Sequence, residues 1–402
     1  MLDVQKIRKD FPILKSNIIY LDSAASSLTP EPVIDKMMEF YRDYRANVER
    51  GVHRLSVRAT EELSKARKKV CQLINAKSES GVIFTKNTTE GINTVANGIS
   101  WKKSDKIVTT LVEHHSNFIV WQRITKKTGA TLEIVSPDKE GLFNIRDFEK
   151  AIDKKTRLVA LAHVSNVLGS TLPVKEVAKL AHENGAEVLV DGAQSVPHMP
   201  VDVRGLGMDY LAFSGHKMLG PTGVGVLFIN EEVLEKLESP FVGGGTIEEV
   251  GLEDYKLGPS PERFEAGTPP IAEAIGLGGA VDYLQKIGLG AVAKHDHALG
   301  KRMYQGLSEI PKVEVFGPSD AAKRSGITSF NVEDMSPHDV AAVLDNSAKV
   351  MVRSGHHCAM PLHKKLLNRP DGTVRASAYI YNTEEEIEKF ISTVEEISRT
   401  LT

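Results

Sequence analysis

Cysteine is scarce in this chain. Only Cys71 and Cys358 occur among 402 residues, far apart and neither in a CxxC pair. That excludes a disulfide-rich secreted scaffold. An excess of one charge is missing too: the formal net charge is −3, without the basic surplus of a nucleic-acid binder, and no nucleic-acid partner is expected. No run of 18 or more apolar residues exists, so no membrane span is expected. The opening stretch MLDVQKIRKDFPILK mixes charges with apolar residues and lacks the apolar segment of a signal peptide, which makes the cytoplasm the expected compartment. There is no internal repeat, low-complexity tract or long Pro/Ser linker. Organisation has to be read from alternating patterns.

A chain of this length suggests more than one domain, with a core large enough to need no disulfide or metal staple. Short β-branched runs end in polar residues or Gly and alternate with helical stretches. They are 81–85, 106–110, 131–135, 157–165, 186–191, 210–214 and 223–229. Continuous apolar runs of this kind predict parallel strands buried on both faces. The intervening 89–101 and 174–185 read as helices, the second ending in Gly. The rhythm predicts an α/β domain over 20–285 with a mostly parallel sheet. After about residue 285 a long helical pattern, 291–310, leads into short strands (VEVFG, ITSFNV) and further helices. This predicts a smaller α+β domain over 286–402, to which 1–19 is assigned.

In open α/β sheets ligands gather at the carboxyl ends of the strands. Asp191 and Gln194 fall past one predicted strand. Ser214, His216 and Lys217 follow another, Asn166 a third, His114 and His115 a fourth. Thr88 and Thr89 stand between a strand and a helix. Singly, each has an ordinary explanation: a solvated lysine, a capping Asp, a core histidine, a capped helix start, glycines that merely shape a turn. Taken together they make another reading possible. A helix N-terminus with Thr hydroxyls can hold a phosphate, a strand-end Asp can keep a pyridine nitrogen protonated, and a lysine can form a Schiff base. That is an inventory for pyridoxal 5′-phosphate.

The chain resembles the fold-type I pyridoxal-phosphate enzymes of aminotransferase class V, and within them the cysteine desulfurases of the SufS and NifS-like group. The motifs run in order through YLDSAASSLTP (20–30), RGVHRLS (50–56), NTTEGIN (87–93) and EHHSN (113–117). HVSNVLGS (163–170), VDGAQSVPH (190–198), SGHKMLGPTGVGVL (214–227) and FEAGTP (264–269) follow, and the series closes with VRSGHHCAMPL (352–362) and RASAYIYNTEEEI (375–387). The resemblance implies a large domain built on a seven-stranded sheet and a smaller one carrying a catalytic Cys loop. It also implies conversion of L-cysteine to L-alanine, with the sulfur left on Cys358 as a persulfide and passed to an acceptor or scaffold protein for iron–sulfur cluster assembly.

Residue by residue, the same resemblance assigns roles. Lys217 holds the cofactor covalently and moves protons at the substrate Cα. Asp191 pairs with the ring nitrogen, and Gln194 and Asn166 bind near the ring hydroxyl or the substrate. His114 stacks on the ring and can act as acid or base. Thr89, Ser214 and His216 bind the phosphate, with Thr268 reaching it from a second subunit, which implies a homodimer. Arg375, supported by Arg353, clamps the substrate carboxylate. Cys71, inside the helical KARKKVCQLIN, reads as a buried hydrophobe. Cys358 sits in a polar Gly-His-His-Cys turn, where cations would favour a thiolate. His356, His357, Cys358 and His363 suggest a metal site, but adjacent residues seldom chelate one ion and no CxxC or HExxH frames them; no metal is expected. Glu49 replaces a His usual in similar enzymes, which puts an entrance or partner-contact role there in question. The alternatives are a selenocysteine lyase on the same scaffold, or another class V aminotransferase or epimerase.

Overall fold

The structure, a computed structural model, describes residues 2–400, so residues 1, 401 and 402 of the expected small domain lie outside the described residues. Seven strands form the central sheet: β1 (Val82–Thr85), β2 (Lys106–Thr110), β3 (Thr131–Val135), β4 (Thr156–Ala162), β5 (Glu187–Asp191), β6 (Tyr210–Ser214) and β7 (Gly225–Ile229). Their order is β1-β7-β6-β5-β4-β2-β3. Period-two alternation feeds a core on each face: Val82 and Phe84 join one apolar cluster while Ile83 joins the other, and Val159 and Leu161 are divided in the same way from Leu158 and Ala160.

Two strands depart from the expectation of parallel strands buried on both faces. Strand β7 runs antiparallel to both of its neighbours. Only residues 215–224 separate it from β6, and a parallel crossover needs about a dozen residues or more, so the chain can only turn back. Strand β3 is parallel but lies at the sheet edge, and most of its residues face solvent. All strands except β7 deliver their carboxyl ends to one edge, the edge where the candidate residues stand.

A second sheet of β8 (Val313–Phe316), β9 (Ile327–Val332), β10 (Arg353–Gly355) and β11 (Thr373–Ser377) is antiparallel throughout, in the order β8-β9-β11-β10. Its core gathers Leu299, Met303, Phe330, Leu344, Phe390 and Val394 from the sheet and the helices Leu289–Ser308, Pro337–Ala348 and Glu384–Thr400. The N-terminal segment spans both bodies. Ile7, Phe11 and Leu14 sink into a core cluster shared with the large sheet, whereas Arg8 pairs with Glu386 of the last helix at 2.7 Å. Ile19–Tyr20 then pairs in parallel with Val350–Met351.

Helix α1 (Arg54–Leu73) is tied to the large sheet by a buried ion pair. Arg67 reaches both carboxylate oxygens of Glu265, at 2.6 and 2.9 Å, and donates also to Val82 O. Glu265 in turn accepts the Phe84 N–H at 2.6 Å. The pair is fully hydrogen-bonded, so truncating one partner strands the other charge in the interior. Glu265→Ala is expected to cost about 3–5 kcal/mol, whereas Asp147→Ala, which removes an exposed partner of Lys150, is expected to cost less than about 1 kcal/mol. Denaturant titration of the two variants measures the difference.

Candidate active site

Helix α2 (Thr88–Gly98) begins directly after β1. It approaches the sheet closely because Gly225 carries no side chain: a Cβ there would lie 2.6 Å from Asn87 Cα and 2.7 Å from Phe213 O. The Asn87 side chain caps the helix through Glu90 N–H, and Thr88 is pinned to Ser214 by its N–H (2.9 Å) and its hydroxyl (2.7 Å). The helix start is thereby fixed beside the turn that carries Lys217. Ser27 wraps this turn from outside, donating to His216 O and accepting the Leu219 N–H at 2.8 Å.

A cavity of about 210 Å3 opens at this edge, lined among others by Lys217, Asp191, Gln194, His114, Arg353 and Arg375. Thr89, Asn166, Ser214 and His216 complete the expected set on its wall. Two expected residues are not on it. Thr268 is exposed and borders grooves elsewhere on this chain. Cys358 stands on a neighbouring loop, its Sγ 3.8 Å from Arg353 Nη2. Glu49 is exposed, with a left-handed backbone at φ 71°.

Electrostatics inside the cavity follow from burial. Lys217 is pulled down to about 8, chiefly by desolvation and against the attraction of Asp191; Arg375 and Arg353 depress it further. The Asp191 carboxyl is pushed up by burial, opposed by the Ala193 N–H and by Lys217. Gln194 spends its amide N–H on Ala24 O at 2.8 Å, and its Oε1 is buried without a partner. His114 is lowered to about 3 by burial and nearby cations, so the ring is neutral. Its Nδ1 accepts the Ser116 N–H at 3.1 Å, which leaves the ring proton on Nε2. His216, at about 4 through burial and Lys217, is neutral as well. A buried carboxyl short of donors, an orphaned acceptor and a lysine whose amine is freed near pH 8, below a helix N-terminus, together fit a flat ring bearing a cationic N–H, a hydroxyl, an aldehyde and a phosphate.

Arg375 is almost fully buried. Its Nη2 pairs with Asp22 at 3.0 Å and its Nη1 donates to Asn166 O at 3.0 Å, while its Nε has no partner. Asn166 does unexpected work, since its amide donates to His357 O at 2.8 Å and so ties the cavity wall to the Cys loop. In that loop His357 (φ 49°) and Cys358 (φ 57°) are consecutive left-handed residues, at a strain of order 1–3 kcal/mol each. The loop histidines are committed to structure. His356 Nε2 donates to Pro370 O, His363 Nδ1 donates to Ala359 O, and His357 and His363 share the Thr373 hydroxyl. Cys71 is buried within its helix, and burial raises its thiol.

Asp22, Glu113 and Ser116 were not singled out from the sequence, although each lies inside a quoted motif. Asp22 faces Arg375, Arg353 and Lys217, yet burial still raises its carboxyl. Ser116 Oγ bridges His114 Nδ1 (3.0 Å) and Thr89 Oγ1 (2.6 Å). Glu113, pushed up to about 8 by burial, accepts from Thr110, Ala162 N–H and Asn117. For Asp22 and Glu113 the available signal was a charged residue directly after an apolar one, Leu21 and Val112, which pattern alone cannot separate from a surface cap.

The aminotransferase class-V family model matches residues 19–390. A "Probable cysteine desulfurase" of Pyrococcus abyssi is 51% identical over 400 residues, which is 99% of this chain and 98% of that protein. A solved cysteine desulfurase from Thermococcus onnurineus NA1, in its apo form, superposes with a TM-score of 0.95 at 49% identity, covering 99% of this chain and 98% of the other. One from Escherichia coli gives a TM-score of 0.91 at 32% identity, covering 98% of each chain.

The lowered value of Lys217 has a direct consequence. In cofactor-free protein, acetic anhydride labelling of Lys217 is expected to titrate near pH 8, against about 10.4 for surface lysines. Asp191→Asn removes the charge that raises Lys217, so its midpoint is expected to move further down. Between those two values the folded chain holds fewer protons than the unfolded one, so this group makes stability rise with pH across that window. Peptide mapping of the label against pH measures the midpoint; a value near that of surface lysines contradicts the burial argument.

Proposed function

This chain belongs to the aminotransferase class-V family, and from that we propose that it is a pyridoxal-phosphate-dependent cysteine desulfurase, converting L-cysteine to L-alanine with transfer of the sulfur to Cys358. The observation that carries the reading is the meeting of Lys217, Asp191, Gln194 and His114 in one cavity whose wall is tied, through Asn166 and Arg353, to the loop of Cys358. Full-length similarity to cysteine desulfurases supports it.

Pyridoxal phosphate, when bound, supplies an electron sink that makes the substrate Cα–H acidic and the Cβ–S bond breakable. Lys217 would hold it covalently, and an amine lowered to about 8 is suited both to that bond and to moving the Cα proton. Asp191 would pair with the ring nitrogen, Gln194 Oε1 would accept from the ring hydroxyl, and His114 would cover the ring. Thr89, Ser214, His216 and the start of helix α2 would hold the phosphate, joined by Thr268 of the partner subunit in a homodimer. Arg375, whose Nε lacks a partner, would bind the substrate carboxylate, with Arg353 and Asn166 beside it. The Cys358 thiolate attacks the substrate sulfur, so that an S–S bond forms as the Cβ–S bond breaks. The electron pair stays on carbon, which takes a proton and becomes the alanine methyl group. The persulfide sulfur then passes to an acceptor or scaffold protein for iron–sulfur cluster assembly, in the cytoplasm. Residues 20–285 would act as the cofactor-binding domain, and 286–402 with 1–19 as the domain presenting the Cys loop.

Two measurements test the reading. Borohydride reduction of the holoenzyme is expected to fix the pyridoxyl group on Lys217; a label on another lysine overturns the assignment. Cys358→Ala is expected to bind cofactor normally and to lose persulfide formation and nearly all alanine release, at least about a hundredfold. Cys71→Ala is expected to stay near the parent rate with at most about 1 kcal/mol of lost stability. Intact-mass detection of the added sulfur, beside alanine quantitation, distinguishes them; normal turnover by Cys358→Ala would leave Cys358 without a role in the chemistry.

A further inference from the structure

The strained turn carrying Cys358 needs anchors, and His115 supplies two that bracket the thiol residue. Its backbone N–H donates to Cys358 O at 2.6 Å, and its imidazole Nε2 accepts the Met360 N–H at 3.1 Å. The remaining backbone ties nearby, Ala359 N–H to His356 O at 2.8 Å and His363 N–H to Ala359 O at 3.3 Å, are internal to the loop. Asn166 grips only the preceding residue, His357. Among these hydrogen bonds, His115 is therefore the tie from the large domain that reaches past the thiol on its C-terminal side, where Ala359 and Leu362 also pack into the core cluster shared with the large sheet. Its neighbour His114 forms part of the cavity wall, so one dipeptide joins the wall of the ring site to the sulfur-accepting loop.

We propose that the His115 side chain is a positioning residue for sulfur transfer, holding the Cys358 turn in register with the cavity by accepting the Met360 N–H. The inference rests on the cysteine desulfurase reading. An acceptor at Nε2 requires the proton to sit on Nδ1 and the ring to be neutral. Burial, and then the neighbouring His356, keep the ring below the usual histidine range. The imidazole touches neither Lys217 nor the cavity, so its effect falls on the second half of the reaction alone. Without this acceptor, Met360 N–H turns to water and the two left-handed residues lose a restraint. The thiol then samples positions away from the substrate sulfur, and small displacements of a reacting atom carry large rate losses.

The side chain is half-buried, so substitution there is compatible with folding. His115→Gln puts an amide oxygen near the position of Nε2; His115→Leu keeps apolar bulk without an acceptor. In the holoenzyme, single-turnover persulfide formation on Cys358 with L-cysteine is read by intact mass, and substrate engagement by the change in cofactor absorbance. His115→Leu is expected to engage L-cysteine with parent affinity but to form persulfide about tenfold or more slowly, and His115→Gln to recover to within about threefold of the parent. Hydrogen exchange of the peptide containing Met360, followed in cofactor-free protein, is expected to quicken in the Leu variant and not in the Gln variant. A loss of thermal stability common to both variants cannot produce that contrast. Equal persulfide rates in the two variants, or unchanged exchange at Met360 in His115→Leu, overturn the proposal. Failure of the parent itself to form a persulfide overturns the desulfurase reading instead.

Discussion

A buried guanidinium holds the site together. Arg375 stands on β11 of the small sheet and pairs with Asp22 of the N-terminal segment, while donating to the carbonyl of Asn166 past β4 of the large sheet. A charge removed from water must find partners at whatever geometry the fold offers. Here the charge and its two partners come from three separate stretches of chain, so satisfying one side chain fixes how the stretches meet. The same atoms that stabilise the seam leave Nε without a partner, and this is the donor that a small carboxylate could claim. In the proposed reading, structural demand and substrate recognition would therefore be carried by one residue.

Low dielectric sets the character of the surrounding groups. Lys217, Arg353 and Arg375 crowd cations around the cavity, and Asp22 and Asp191 answer them only in part, because burial raises both carboxyls. The histidines respond in the same direction. His114, His216 and His363 fall to between about 3 and about 4, and His357 is strongly lowered, each with burial as the first cause. Neutral imidazoles act here as fixed hydrogen-bond pieces, held by the partners of one or both ring nitrogens. Lys217 is the exception: its lowered value lies close enough to neutrality for the amine to exchange protons. That value sets it apart from the neutral imidazoles around it.

The thiol is handled by a different rule. Cys358 does not line the ring cavity and sits on a loop whose backbone is held in the left-handed region. For the proposed nucleophile, which would reach a substrate sulfur and later hand its cargo outward, a turn outside the cavity is better suited than a strand end in the core. The strain is held by hydrogen bonds from Asn166 and His115, residues of the large-domain loops, so the loop's shape depends on the domain that binds the ring.

Much was legible in the linear pattern. The alternation of apolar runs with helical stretches follows directly from side-chain periodicity, a local property, and the same holds for the strand ends where Lys217, Asp191, Gln194 and His114 fall. The antiparallel course of β7 departed from the parallel reading of 223–229, although the short connection from β6 carried its signal. What pattern could not supply was partnership. That Asn166 would reach the Cys loop, that Asp22 would hold Arg375, that Glu265 would be the buried partner of Arg67, and that Thr268 would lie apart from this chain's own cavity all depend on which distant segments come together. The sequence by itself determined the strand ends, the chemistry of the residues placed there and the family they belong to, because these rest on local spacing and residue type. Only the tertiary structure decided the tautomer of each histidine, the depressed value of Lys217 and the anchoring of Cys358, because hydrogen-bond partners and desolvation exist only once segments far apart in the chain are packed against one another.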